Sequence, residues 1–116
     1  MDCYLASFGL QDGVKDADFV SDLEAYMARL EQDGLIEGHR LLRRKLGLGP
    51  RAPGEFLLLM DVRDMAQLER AFQTVGRRAE PLEGAHFAVN SKVKDLFFAL
   101  YRDFPDSFRT YGQERF

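Results

Sequence analysis

The chain has no tryptophan, one cysteine and two histidines among its 116 residues. A single cysteine, Cys3, forbids an internal disulfide and gives no sign of an oxidising compartment. Cys3, His39 and His86 are the whole soft-ligand inventory, and no HExxH, CxxC or EF-hand spacing occurs, so no metal site is expected. Long apolar runs are also missing. The longest is Leu96-Phe97-Phe98-Ala99-Leu100-Tyr101, far short of the roughly 20 residues of a membrane-spanning helix. The first residues, Met1-Asp2-Cys3-Tyr4, lack the basic start and apolar stretch of a signal peptide. A cytoplasmic location is the expectation that follows. Sixteen Lys and Arg against nineteen Asp and Glu give a net charge of −3, which offers no global attraction to nucleic acid or anionic membrane.

What is present suits one globular domain spanning residues 1–116. Hydrophobic residues make up 46% and charged residues 30%, a mixture that argues against disorder. At this length folding buries about two-thirds of the unfolded surface, enough for one core.

Residues 3–10 read as a strand with both alternating sets apolar or small. Residues 17–33 read as a helix: Phe19, Leu23, Met27 and Leu30 recur at helical spacing, Asp16 is placed to cap the start and Gly34 the end. Residues 36–46 read as a basic strand carrying Arg40, Arg43, Arg44 and Lys45, which suits a sheet edge where charge reaches water. A glycine-rich connection over 47–54 follows. It lacks GK[ST] and no helix comes next, so it is a hairpin loop and not a phosphate cradle. Residues 55–62 form the most apolar strand and belong at the sheet centre. Asp64 and Gln67 make a capping box for a second helix ending at Gly76. Pro81 opens a shorter third helix, and residues 94–102 return to strand. The tail beyond is polar but carries Phe104, Phe108, Tyr111 and Phe116, placed to pack on a partner or to lid a pocket.

The order β-α-β-β-α-(α)-β is that of an α+β domain, with helices on one face of a four-stranded antiparallel sheet. Right-handed crossovers give strand order 4-1-3-2. One helical layer covers one face only, yet Leu57 and Leu59 are apolar on the other. A second copy of the sheet is the simplest cover, so a homodimer is expected.

The chain resembles the dimeric α/β-barrel superfamily of ferredoxin-like domains, and is most similar to short bacterial members whose activity is uncharacterised. The likeness rests on the element order, on Phe8-Gly9-Leu10-Gln11-Asp12-Gly13 leaving the first strand, on the run from Phe56 to Asp64, and on the pair His86-Phe87. It implies that Tyr4, Ala6, Phe8 and Leu10 face the helices while Cys3, Leu5 and Ser7 face the barrel interior. Members of the superfamily include cofactor-free monooxygenases, muconolactone-type isomerases, polyketide cyclases and haem-degrading enzymes. This chain departs from them in placing Arg63 where monooxygenases often carry Trp, Phe72 where a helical His would be sought, and Cys3 or Tyr4 where stress-responsive members begin with His.

His86 is the candidate catalytic residue, because an imidazole beside apolar walls can act as a general base. The plainer alternative is a helix residue bonded to a backbone carbonyl. Asn90 lies four residues on, on the same helical face. Tyr101 and His39 complete the candidate binding set, each equally readable as a structural polar group. Cys3 reads as an inert thiol. The basic strand lacks interleaved aromatics, which argues against RNA. Two functions compete: a small-molecule-binding barrel, acting without a cofactor as an oxygenase or isomerase on a small aromatic or apolar metabolite, or a non-enzymatic interaction module with a filled interior. In the first, a pocket between the sheet and residues 81–92 would carry His86 on its wall.

Overall fold

The computed structural model describes residues 1–49 and 53–105. The elements follow the order β1 (Asp2–Leu10), α1 (Asp16–Gln32), β2 (Gly38–Arg43), β3 (Phe56–Val62), α2 (Met65–Gly76), α3 (Leu82–Asn90) and β4 (Val93–Arg102). The strands form one antiparallel sheet in the order β2-β3-β1-β4, the ferredoxin-like arrangement expected of the sequence. The most apolar strand is central and the basic one sits at an edge.

Period-two alternation divides the sheet as the pattern requires. Ala6 and Phe8 of β1, with Phe56, Leu58, Met60 and Val62 of β3, are buried under the helices. Phe19, Leu23 and Met27 of α1 are fully buried against them, each contributing about 1.5–3 kcal/mol of transfer free energy. Phe8, Phe19 and Phe56 stack or tilt within 5.4–5.8 Å at the centre of this layer. On the opposite face stand Cys3, Leu5, Leu57, Leu59, Phe97, Ala99 and Tyr101, by the pairing Cys3 with Tyr101, Leu5 with Leu59 and Ala99, and Ser7 with Leu57 and Phe97. Phe97 is 51% and Tyr101 60% exposed.

Ser7 is the exception on that face. It is fully buried, because the chain entering β3 crosses it and the Gly54 N–H donates to Ser7 Oγ at 2.8 Å. A side chain at Gly54 would lie 2.7 Å from the Phe8 carbonyl oxygen, so only glycine permits the crossing.

Local signals differ from their expected roles in three places. Lys15, not Asp16, caps α1, and its side chain makes no capping bond. Asp16 is instead held by Arg43, whose Nη1 donates to it at 3.1 Å. Strand β2 is shorter than residues 36–46, because Ile36 is drawn into the core and Leu46 lies out in solvent at 75% exposure. The capping box on α2 is half made. Asp64 accepts from the Gln67 N–H at 2.8 Å, but the Gln67 side chain turns inward. Residues 50–52 of the connecting loop lie outside the described residues, as do Phe108, Tyr111 and Phe116 of the tail.

Candidate functional site

Helix α3 crosses beside α1 and is tied to it by Lys92, whose Nζ meets Asp22 at 2.7 Å. Leu82 and Val89 bury its inner face. The same face carries His86 and Asn90, because residues four apart share one side of a helix. Between this face, α1, α2 and the sheet lies a cavity of about 220 Å³. Its floor is Tyr4, Ala6 and Leu58 of the sheet, and its walls include Met27, Leu68 and Val89. Of the apolar lining, Phe72, Leu96 and Phe98 are left 39–53% exposed and form the rim, and Asn90 is exposed as well. Four of the lining residues carry polar side-chain atoms: Tyr4, Tyr26, His86 and Asn90. The Phe72 ring sits edge-on to Tyr4 at 5.3 Å, and Phe98 stacks on Tyr4 at 5.5 Å, so both aromatic rings of the rim pack on one ring of the floor.

The polar end is organised around His86. Its ring lies 5.6 Å from that of Tyr26. Its Nδ1 is 3.2 Å from Arg78 Nη1 and 3.8 Å from Glu83 Oε1. Arg78 also donates to Glu83 at 3.2 Å, while Glu83 Oε2 is buried with no hydrogen-bond partner among the described residues. Burial, reinforced by the Glu83 charge and partly offset by Arg78, pushes the Tyr26 phenol up to about 12, so it stays neutral and able to donate. Burial likewise raises the Tyr4 phenol.

The cavity brings His86 and Asn90 together and leaves the other two candidates elsewhere. Tyr101 projects from the opposite face of the sheet. His39 lies on the helix-facing side of β2, pinned by Glu31 at 2.6 Å and Glu24 at 3.1 Å. Burial lowers the affinity of its ring for a proton, but the two carboxylates outweigh that and raise its pKa overall. Cys3 is pushed up by burial and then by Asp61, which keeps it a thiol. Of the basic strand, Arg43 is neutralised by Asp16 and Glu55, and Arg44 donates to the Pro53 carbonyl. Sequence reasoning missed Arg78 and Glu83. The spacing of Glu83 to His86 was a signal within one helix; Arg78, in the preceding turn, offered none.

Among the described residues no group of His, Cys, Asp or Glu is placed to hold a metal ion, and no helix is long and apolar enough to cross a membrane.

A family model described as "Family of unknown function (DUF6614)" matches residues 1–116. No curated protein matches the chain in sequence. Solved structures do share its fold. The Arabidopsis thaliana protein At3g17210 is 5% identical with a TM-score of 0.71, over 92% of this chain and 99% of that one. SnoaB, a cofactor-independent oxygenase from Streptomyces nogalater, is 14% identical with a TM-score of 0.64, over 90% and 97%. A dimeric protein of unknown function and ferredoxin-like fold from Bacteroides fragilis is 9% identical with a TM-score of 0.56, over 88% and 95%. At such identities the likeness establishes the fold, and the ferredoxin-like class is common to all of these observations.

Proposed function

Given that the chain belongs to the family of unknown function DUF6614, we propose from its geometry that it binds a small, mostly apolar or aromatic molecule in the cavity between the sheet and α3, with His86 and Asn90 as polar contacts. The cavity carries this reading. At about 220 Å³ it exceeds the roughly 150 Å³ of an engineered apolar cavity that takes up benzene, so one substituted ring is the size class it suits. A few polar groups converging on apolar walls is the usual composition of a ligand site.

The enzymatic form of the proposal is a cofactor-free oxygenase or isomerase, and the cofactor-independent oxygenase SnoaB among its structural neighbours supports the first. In the oxygenase the substrate supplies the electrons that reduce O2, and His86 meets the substrate's reactive oxygen. Oxygen uptake with 1-naphthol, above the protein-free rate and reduced in His86→Phe, is the expected result for the oxygenase.

A homodimer through the open sheet face belongs to the same proposal. Leu5, Leu57, Leu59 and Phe97 leave an apolar surface there that a second sheet would cover, and the Bacteroides fragilis neighbour is dimeric.

The binding claim is tested with ethylbenzene. Chemical-shift changes confined to Tyr4, Tyr26, Ala71 and Val89 are expected on titration. Ala71→Leu, which fills the cavity from α2, should weaken binding at least tenfold while leaving the melting temperature unchanged or raised. Absence of any saturable change would leave the filled, non-enzymatic module as the reading.

A further inference from the structure

The polar end of the cavity has a chemical polarity that follows from Arg78. A guanidinium carries donors only and keeps its charge throughout the accessible pH range. Its Nη1 stands 3.2 Å from His86 Nδ1, within hydrogen-bond reach, whereas Glu83 Oε1 at 3.8 Å is beyond it. The contact is a hydrogen bond only if Nδ1 offers its lone pair. A neutral imidazole has one acceptor and one donor nitrogen, so the hydrogen then sits on Nε2. His86 lines the cavity, and among the described residues Nε2 has no hydrogen-bond partner. Glu83 supports the arrangement: its Oε1 accepts from the same Arg78 nitrogen and helps hold the guanidinium beside Nδ1.

We propose that Arg78 is a positioning residue that fixes His86 as an Nε2–H donor toward the cavity, so that the ligand is an apolar ring bearing an acceptor oxygen, a ketone or comparable carbonyl. The proposal rests on the cavity being a ligand site. It changes the role of His86 from the general base suggested by its residue type to the group that recognises or polarises a ligand oxygen. The lone pair a base would need is turned away, toward Arg78. Tyr26, neutral and 5.6 Å from the imidazole between ring centres, lines the same cavity and carries a second hydrogen-bond donor.

Two measurements test it. The first needs no ligand: side-chain ¹⁵N spectra at pH 7.5 should show His86 in the Nε2–H tautomer. In Arg78→Met the tautomers should mix, and in Arg78→Lys, which keeps a donor, the Nε2–H form should persist. Arg78 is 62% exposed in its side chain, so both variants should fold. The second compares acetophenone with ethylbenzene, which differ by the carbonyl oxygen. The wild type should favour acetophenone about fivefold, the value of one net hydrogen bond. Arg78→Met should bring the ratio below about twofold, and Arg78→Lys should keep it. An Nδ1–H or doubly protonated ring in the wild type, or equal affinity for the two probes, overturns the proposal and leaves the cavity reading intact. Failure of both probes to bind removes the cavity reading and this one with it.

Discussion

His39 shows how a single side chain is claimed by its neighbours. Its ring reaches Glu31 at 2.6 Å and Glu24 at 3.1 Å, so it ties the edge strand β2 to α1 as a charged bridge. Its folded pKa is raised above its ordinary value near 6.5, through the carboxylates and against burial. The stabilisation is therefore complete below about pH 6.5 and fades as the pH rises through the higher folded value. His39→Gln is expected to cost on the order of 1 kcal/mol at pH 6 and clearly less at pH 9, because both carboxylates are partly solvated. Urea unfolding at the two pH values checks this; an equal cost at both would contradict it. The sequence placed His39 on the basic strand, but nothing in the order of residues could announce two glutamates 8 and 15 positions earlier as its partners. His86 and Asn90 were legible because they share one helix. Arg78, approaching from outside that helix, was not.

Helix α2 shows the same division within an element. Its start at Asp64 was readable because a capping aspartate satisfies a free N–H whatever the rest of the fold does. The expected return bond of Gln67 was not realised. That side chain is fully buried, accepting from the Arg63 N–H at 2.7 Å and donating to the Gly34 carbonyl at 3.0 Å, which joins the start of α2 to the turn after α1. Gln67→Leu should therefore destabilise by about 2 kcal/mol, since it removes two hydrogen bonds to the backbone. Asp64→Ala should cost only about 1 kcal/mol, the value of a cap. Guanidinium unfolding of the two variants checks the order, and a costlier Asp64→Ala would show that the cap and not the inward bridge holds this element. The end of β2 was misjudged for a related reason. The apolar pattern of Ile36 and Leu46 reads as strand, yet Ile36 belongs to the core ahead of it and Leu46 to the loop behind.

For the whole molecule the open sheet face is the surface on which the proposed assembly rests. It is mostly apolar across β1, β3 and β4, with Asp61 at one end, and in a single chain it leaves Phe97 and Tyr101 more than half exposed. With the homodimer proposed above, Leu59→Asp puts a carboxylate at the centre of the buried sheet interface, where its desolvation is not repaid. Sedimentation velocity should give twice the 13.3 kDa chain mass for the wild type and a single chain mass for the variant, with the far-ultraviolet spectrum retained. A wild-type protein that sediments as a monomer at micromolar concentration would remove the dimer.

Element order and strand order were determined by the sequence, because hydrophobic periodicity and the handedness of crossovers are local or topological rules, whereas the helix-facing side of β1 came from the family resemblance. Phe56, Leu58, Met60 and Val62 share one face by alternation, but that this face lies under the helices was decided by the structure, because Leu57 and Leu59 are apolar too. The cavity, the inward turn of Gln67 and the Arg78–His86 contact were decided by tertiary structure. Each depends on atoms brought together from segments whose separation no period encodes. Space left between packed layers follows from how side chains of different size meet, and the direction of a hydrogen bond follows from which of the groups brought together can only donate.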